Sequence, residues 1–191
     1  MKYLIMTLLI STQAVAQVGI FQNTGDIGKP KNAGSTGFDN ATQEYTIKGS
    51  GSGSVANRDE LHYAYNKVKG DFILTANFKF AATETEGQHK MGWMIRSSNE
   101  DDVAQASAVL QDNGLIALRW RDLRGAYMRG EDAFVFKKTR AQIIQLERAG
   151  NQITMRVANP GEPLQVVGIH EMALPDELLA GLFITSQNFD I

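Results

Sequence analysis

The sequence predicts an all-β fold, a two-sheet antiparallel sandwich, and three observations carry that prediction. Apolar residues recur at every second position over many short segments. Turn residues punctuate those segments about every ten residues. No long helical period separates them, which argues against an α/β arrangement.

Taken in chain order, residues 22–43 (QNTGDIGKPKNAGSTGFDNATQ) are crowded with Gly, Asn, Thr and Asp and show neither period, so they are expected to be loop. YTIKG (45–49) alternates and begins the strands. The run Gly49 to Ser54 has linker composition, yet the segments on both sides look like strands of one sheet system, so it is read as a loop. LHYAY (61–65) sets Leu61, Tyr63 and Tyr65 on one face and His62 with Ala64 on the other. Lys69-Gly70-Asp71 turns the chain into FILTANFKF (72–80), where Phe72, Leu74, Ala76, Phe78 and Phe80 face together. Further strands are expected at 90–96, 103–110, 114–122, 141–150, 151–159, 163–172 and 180–187. Their turns fall at Asp112-Asn113-Gly114, Gly150-Asn151 and Pro160-Gly161. LERAGNQITMRV reads as a hairpin around Ala149-Gly150-Asn151. Period alone also admits a helix over 141–148; the glycine that follows and the alternating partner favour strand.

The first residues, MKYLIMTLLISTQAVAQ, combine Lys2, an apolar stretch from Leu4 to Ile10 and the small-x-small pattern Ala14-Val15-Ala16. Residues 1–16 are therefore expected to be a signal peptide, with 17–191 the exported domain in the periplasm or beyond. A bilayer span needs about 20 apolar residues, and Ser11, Thr12 and Gln13 end this stretch early, so no membrane span is expected. There are no cysteines, which excludes a disulfide framework and a lipidated cysteine and leaves stability to core burial. The net charge is −2 and loss of Lys2 makes it more acidic, so no basic field exists for nucleic acid. A composition of 43% hydrophobic residues with 18 Gly and 4 Pro fits a globular β protein.

The segments EYTIKGSGSGSVANRDELHYAYNKVKGDFILTANFKF, KMGWMIRSS, LERAGNQITMRVA and AGLFITSQN together resemble the concanavalin A-like lectin/glucanase superfamily. More narrowly, they are similar to a bacterial exported domain of unknown function often found ahead of a Tol-type β-propeller. The likeness covers about residues 25–189. It implies a jelly-roll sandwich, carbohydrate or cell-envelope polymer as ligand, and a C-terminal β-propeller as partner domain in a longer protein. Relatives usually carry a tryptophan where this chain has Val55, and add one strand after the stretch matching SQNFDI. The chain either closes its sheet elsewhere or is the leading piece of something longer, truncated before its last strand.

Superfamily glucanases carry Glu-x-Asp-x-Glu on one strand, which points three carboxylates to one face; that pattern is absent here. Glu84-Thr85-Glu86 and Glu100-Asp101-Asp102 sit in polar loops and read as surface charge. Gly49-Ser50-Gly51-Ser52-Gly53 lacks the helix that a nucleophile elbow requires, and no phosphate-loop lysine motif occurs. His62, His89 and His170 lack zinc-ligand spacing. Calcium is the one cofactor that the loops could hold, through Asp26, Asn32, Asp39, Asn188 and Asp190, although the same residues serve as ordinary turn formers.

The candidate ligand-binding residues are His62, Arg96, Arg119 and Arg121. Alternation turns Arg119 and Arg121 away from Leu118 and Trp120, so they are expected either to line an open sheet face and bind sugar hydroxyls or a uronate carboxylate, or to pair with Asp122 or Glu147. Trp93 and Trp120 share faces with apolar neighbours and read as core. The expected function is a non-catalytic binding module for carbohydrate or envelope polymer. Its competitors are a glycoside hydrolase or lyase using a pair such as Glu60 with His62, and a docking domain for a following propeller.

Overall fold

The structure, a computed structural model, describes residues 18–81, 89–135 and 143–186, with backbone alone for 131–135. The described residues form fourteen strands and no helix. In order these are β1 (Asn23–Ile27), β2 (Ser35–Asp39), β3 (Glu44–Lys48), β4 (Gly53–Val55), β5 (Arg58–Lys69), β6 (Phe72–Asn77) and β7 (Lys90–Arg96). There follow β8 (Gln105–Gln111), β9 (Leu115–Arg121), β10 (Arg129–Val135), β11 (Ile143–Ala149), β12 (Gln152–Ala158), β13 (Gln165–Glu171) and β14 (Glu177–Thr185). The expected signal peptide, the Glu84-Thr85-Glu86 loop and Asn188 with Asp190 lie outside the described residues.

All strand pairs are antiparallel. The larger sheet has 8 strands in the order β1-β5-β14-β7-β8-β9-β10, with β4 paired to β5; a 4-stranded sheet runs β13-β12-β11-β6, and β2-β3 is a separate hairpin. The last strand is not at an edge. β14 lies between β5 and β7 and pairs with both.

The two larger sheets meet in a sandwich-like arrangement because their alternating stripes face one another. Trp93, Ile95, Ala106, Leu118 and Leu182 come from the larger sheet, and Ile144, Leu146, Ile153 and Met155 from the smaller; all are buried in one cluster. Phe72, Leu74 and Ala76 of β6 pack against it, as the alternation predicted. Gly150, at φ 60°, makes the β11–β12 turn. Residues 143–149 are therefore strand, which removes the helical alternative.

Four elements depart from the sequence reading. The supposed loop 22–43 contains β1 and β2, and β4 and β10 were not foreseen. Strand β1 (NTGDI) and strand β2 (STGFD) show only intermediate or exposed positions apart from Ile27. Their backbones pair with β5 and β3, and their polar side chains bond to one another instead of facing a core, so no hydrophobic period marks them. FILTANFKF is strand only to Asn77, although Phe78 still enters the core.

The opposite face of the larger sheet carries a second buried cluster, with Leu61, Tyr63, Met94, Val109, Leu179 and Phe183. Its enclosure follows from one ionic network. Arg96, Gln105 and Arg121 stand opposite each other across β7, β8 and β9. Register sets Arg96 level with Lys67, since both pair with Leu179. Asp59 lies at the far end of β5, roughly 25 Å from Lys67 at about 3.3 Å per residue, and yet its carboxylate is 3.2 Å from Arg96 and 2.9 Å from Arg121. The start of β5, with β4 attached, must therefore fold over this outer face.

All three ionic side chains are fully buried, and each guanidinium also donates to loop carbonyls, with Arg96 Nη1 donating to Met94 Sδ. Arg96 donates to Ser98 O (2.8 Å) and Glu100 O (2.5 Å), and Arg121 to Ala126 O (2.9 Å) and Val103 O (3.1 Å). Gln105 Nε2 adds a bond to Asp59 at 3.0 Å. Burial pulls the Arg96 guanidinium below its ordinary value, and Asp59 opposes that pull. Removing the carboxylate would leave two buried cations with no anion. Asp59→Ala should therefore cost about 3–5 kcal/mol, read as a lower urea midpoint in a denaturation curve; a midpoint equal to the native one would show that the network does not support the fold.

Candidate functional site

The loop after β7, with β1, the later part of β5 and the start of β14, frames a cleft. It has a volume of about 280 Å³ and is lined by Asn23, Tyr65, Lys67, Ser97, Ser98, Asn99, Glu177, Leu178 and Leu179. Asn23 stands opposite Tyr65 in the β1–β5 register, and Leu179 opposite Lys67. The loop 97–99 is held in place by Arg96, whose guanidinium grips the carbonyls of Ser98 and Glu100.

Among the described residues, Tyr65 supplies the one aromatic ring in the lining. One of its faces stacks on buried Tyr63, with centroids 4.8 Å apart and planes 15° from parallel, while Asn99 Nδ2 donates to its hydroxyl at 2.5 Å. Tyr63 in turn donates to the carbonyls of Met94 (2.9 Å) and Leu179 (3.0 Å), which fixes the stack to β7 and β14. Lys67 and Lys69 each lie 3.5 Å from Glu177. These exposed pairs contribute little to stability, so their heads are available to a ligand at small cost. The cleft thus presents one ring with amide, hydroxyl, ammonium and carboxylate groups around it.

A second arrangement surrounds His62, on the opposite face of β5. Its ring is 3% exposed. Nδ1 is 2.7 Å from Asp26 Oδ1, and Nε2 is 2.9 Å from Thr36 Oγ1 and 3.1 Å from Thr24 Oγ1. The two threonine hydroxyls are 2.9 Å apart. Both Asp26 oxygens accept the Gly34 N–H at 3.1 Å. Thr36 also lines an open depression of about 530 Å³ with Val18, Gly19, Gly37, Phe38 and Asn40.

The four residues singled out in the sequence are not brought together. His62 belongs to the Asp26 array, and Arg96 and Arg121 belong to the Asp59 network. Far from lining an open sheet face, Arg96 and Arg121 are fully buried with protein partners, because the start of β5 covers them. Arg119 is half-buried on β9 and shares the outer face with Arg121. The partners suggested for these arginines are engaged elsewhere: Asp122 with His170 at 2.7 Å, and Glu147 with Arg156.

Glu60 bonds Ser52 through its Oε2 and is not the carboxylate beside His62, a place that Asp26 takes. Asp39 accepts the Ala41 N–H at 2.8 Å, a turn role. No group of three or more His, Cys, Asp or Glu residues suited to a metal ion occurs among the described residues. Trp93 is core, donating to Ile144 O at 3.1 Å, and Trp120 is partly buried and stacks on His170. Tyr65 was legible as the end of an aromatic stripe. Nothing in the sequence linked it to Asn99 or Glu177, which arrive from a loop and from the last strand.

No family model matches this chain, and no curated protein matches it. Among solved structures it is similar to a protein from Saccharomyces cerevisiae described as functionally unknown. The two share 14% identity at a TM-score of 0.60, over 86% of this chain and 88% of that one. At that identity the likeness is one of fold.

Burial pushes the Tyr63 phenol above its ordinary value of 10.0. A phenol whose folded value is raised contributes stability that is present below about pH 10 and lost as pH climbs toward the folded value. Tyr63→Phe should cost roughly 1–2 kcal/mol near neutrality, and the gap between native and variant should narrow above about pH 10. Urea melts at a series of pH values check this; a gap that is constant or widens with alkali contradicts the buried, donating phenol.

Proposed function

We propose that this chain is an exported binding module of concanavalin A-like, jelly-roll architecture, and that the Tyr65 cleft receives a unit of carbohydrate or of a carbohydrate-bearing envelope polymer. The observation that carries the reading is the cleft's chemistry. Sugars present an apolar face of C–H groups and a rim of hydroxyls, so a site for them needs a flat apolar surface and donors and acceptors around it. Tyr65 supplies the ring, and Asn23, Ser97, Ser98, Asn99, Lys67 and Glu177 supply both kinds of polar group. At about 280 Å³ the cleft is at the small end of the roughly 300–1,000 Å³ usual for ligand sites, which suits one terminal or branching unit rather than a long buried chain.

Binding is favoured over glycosidic cleavage because such cleavage uses two flanking carboxylates, and among the described residues the cleft lining holds one, Glu177. Support for export rests on the first sixteen residues. Among the described residues no helix is long and apolar enough to cross a membrane.

A glycan array followed by titration calorimetry on the best polysaccharide tests the reading. Tyr65→Ala and Asn99→Ala should each weaken binding about tenfold or more, equivalent to roughly 1.4 kcal/mol, with cooperative unfolding retained. Absence of binding to every glycan and envelope polymer, or affinity unchanged in Tyr65→Ala, would sink it.

A further inference from the structure

The geometry points to a second site, independent of the Tyr65 cleft: we propose that Asp26, His62 and Thr36 form a hydrolytic centre for uncharged carboxylate esters, with Thr36 as the nucleophile. A carboxylate, an imidazole and a hydroxyl are joined in sequence, at 2.7 Å between Asp26 Oδ1 and His62 Nδ1 and 2.9 Å between His62 Nε2 and Thr36 Oγ1. Each link lies within the hydrogen-bond reach that activates a hydroxyl nucleophile through an oriented base. Nδ1–H donates to Asp26, which leaves the Nε2 lone pair facing the hydroxyl.

The ring is held in that orientation by its surroundings as well as by Asp26. A Cβ at Gly34 would sit 2.3 Å from the ring, and one at Gly49 would sit 2.8 Å from His62 Cβ. The Gly34 N–H holds both Asp26 oxygens from the far side. Thr24 also reaches Nε2, but it is absent from the depression lining, whereas Thr36 is part of it. Thr24 is exposed and Thr36 half-buried, and Thr36 is the hydroxyl nearer to Nε2, at 2.9 Å against 3.1 Å, so Thr36 is the nucleophile and Thr24, 2.9 Å from it, is a positioning residue.

The depression selects the substrate class. Among the described residues the lining is Val18, Gly19, Thr36, Gly37, Phe38 and Asn40, none of whose side chains carries a charge to offset a phosphate or a free carboxylate. A neutral ester fits, its acyl group against Phe38. In the first half-reaction Thr36 Oγ1 bonds to the acyl carbon and its proton moves to His62 Nε2. The ester C–O bond breaks and the departing alkoxide takes that proton, leaving acyl-Thr36 and the alcohol. A water then gives a proton to Nε2 and attacks the acyl carbon; Thr36 leaves, takes the proton back, and the carboxylic acid is released.

p-Nitrophenyl acetate is the probe, applied to the full chain. The expected result is saturable hydrolysis above the buffer rate, with acetyl trapped by acid quench on the peptide containing Thr36. Thr36→Val and His62→Gln should lower the rate on the order of 100-fold or more, while Thr36→Ser keeps the hydroxyl and most of the rate. Thr24→Val should alter the rate less than Thr36→Val does. Hydrolysis no faster than buffer, acetyl on another residue, or a Thr36→Val rate equal to the native one would overturn the assignment. The trapping is done on the native chain, so a variant that fails to fold does not remove the test. Its failure is also separate from that of the Tyr65 cleft, since glycan binding is read by calorimetry and the two linings share no residue.

Discussion

The contact between the Asp59 carboxylate and the guanidiniums of Arg96 and Arg121 is the constraint on which the outer half of this molecule depends. An ion pair removed from water carries a large desolvation cost, repaid only where geometry is good and the remaining donors are satisfied. Here Asp59 meets both arginines, and their other nitrogens reach the carbonyls of Ser98, Glu100, Val103 and Ala126. Two loops and the start of β5 are thereby tied to one point. Further bonds hold the same segment over the sheet: the Asp59 N–H donates to Asp101 O at 2.7 Å, the Met128 N–H to Ala56 O at 2.9 Å, and Arg58 pairs with Asp101.

Two consequences follow, one for stability and one for the surface. The fold-over helps to shelter a second apolar cluster on a sheet face that, among the described residues, has no second sheet opposite it, so side chains are buried on both faces of the larger sheet without a disulfide. Arg96 sets the position of the loop 97–100, and through it Asn99 and its bond to Tyr65. A buried structural network thus shapes an exposed cleft. The inner face is simpler, with interlocking aliphatic and aromatic stripes from two sheets and Trp93 anchored to the backbone of β11.

Histidine use shows the same division between covered and open polar groups. His62, His89 and His170 each rest against a different aspartate, at 2.7, 2.8 and 2.7 Å. His62 has two threonine hydroxyls at its second nitrogen, and one of those residues, Thr36, borders an open depression. The hairpin β2–β3 brings Thr36 there.

The alternating stripes of 61–65, 72–76, 90–96 and 143–157 determined by themselves that the chain would pair into antiparallel sheets, and which side chains would share a face. Leu61, Tyr63 and Tyr65 lie opposite His62 and Ala64 because a period of two is a property of the extended backbone and needs no partner. The strands 23–27 and 35–39 were illegible because their polar side chains bond sideways to Asp26, His62 and each other, which leaves no hydrophobic signature. The candidate sites were illegible for a related reason. Arg121 read as an open-face cation because alternation tells which side a residue takes but not what later covers that side. Only tertiary structure decided that Asp59 would cross the sheet to bury Arg96 and Arg121, that Asn99 and Glu177 would frame Tyr65, and that Asp26 rather than Glu60 would orient His62. Each of those contacts joins residues far apart in sequence, and no local period encodes the distance between them.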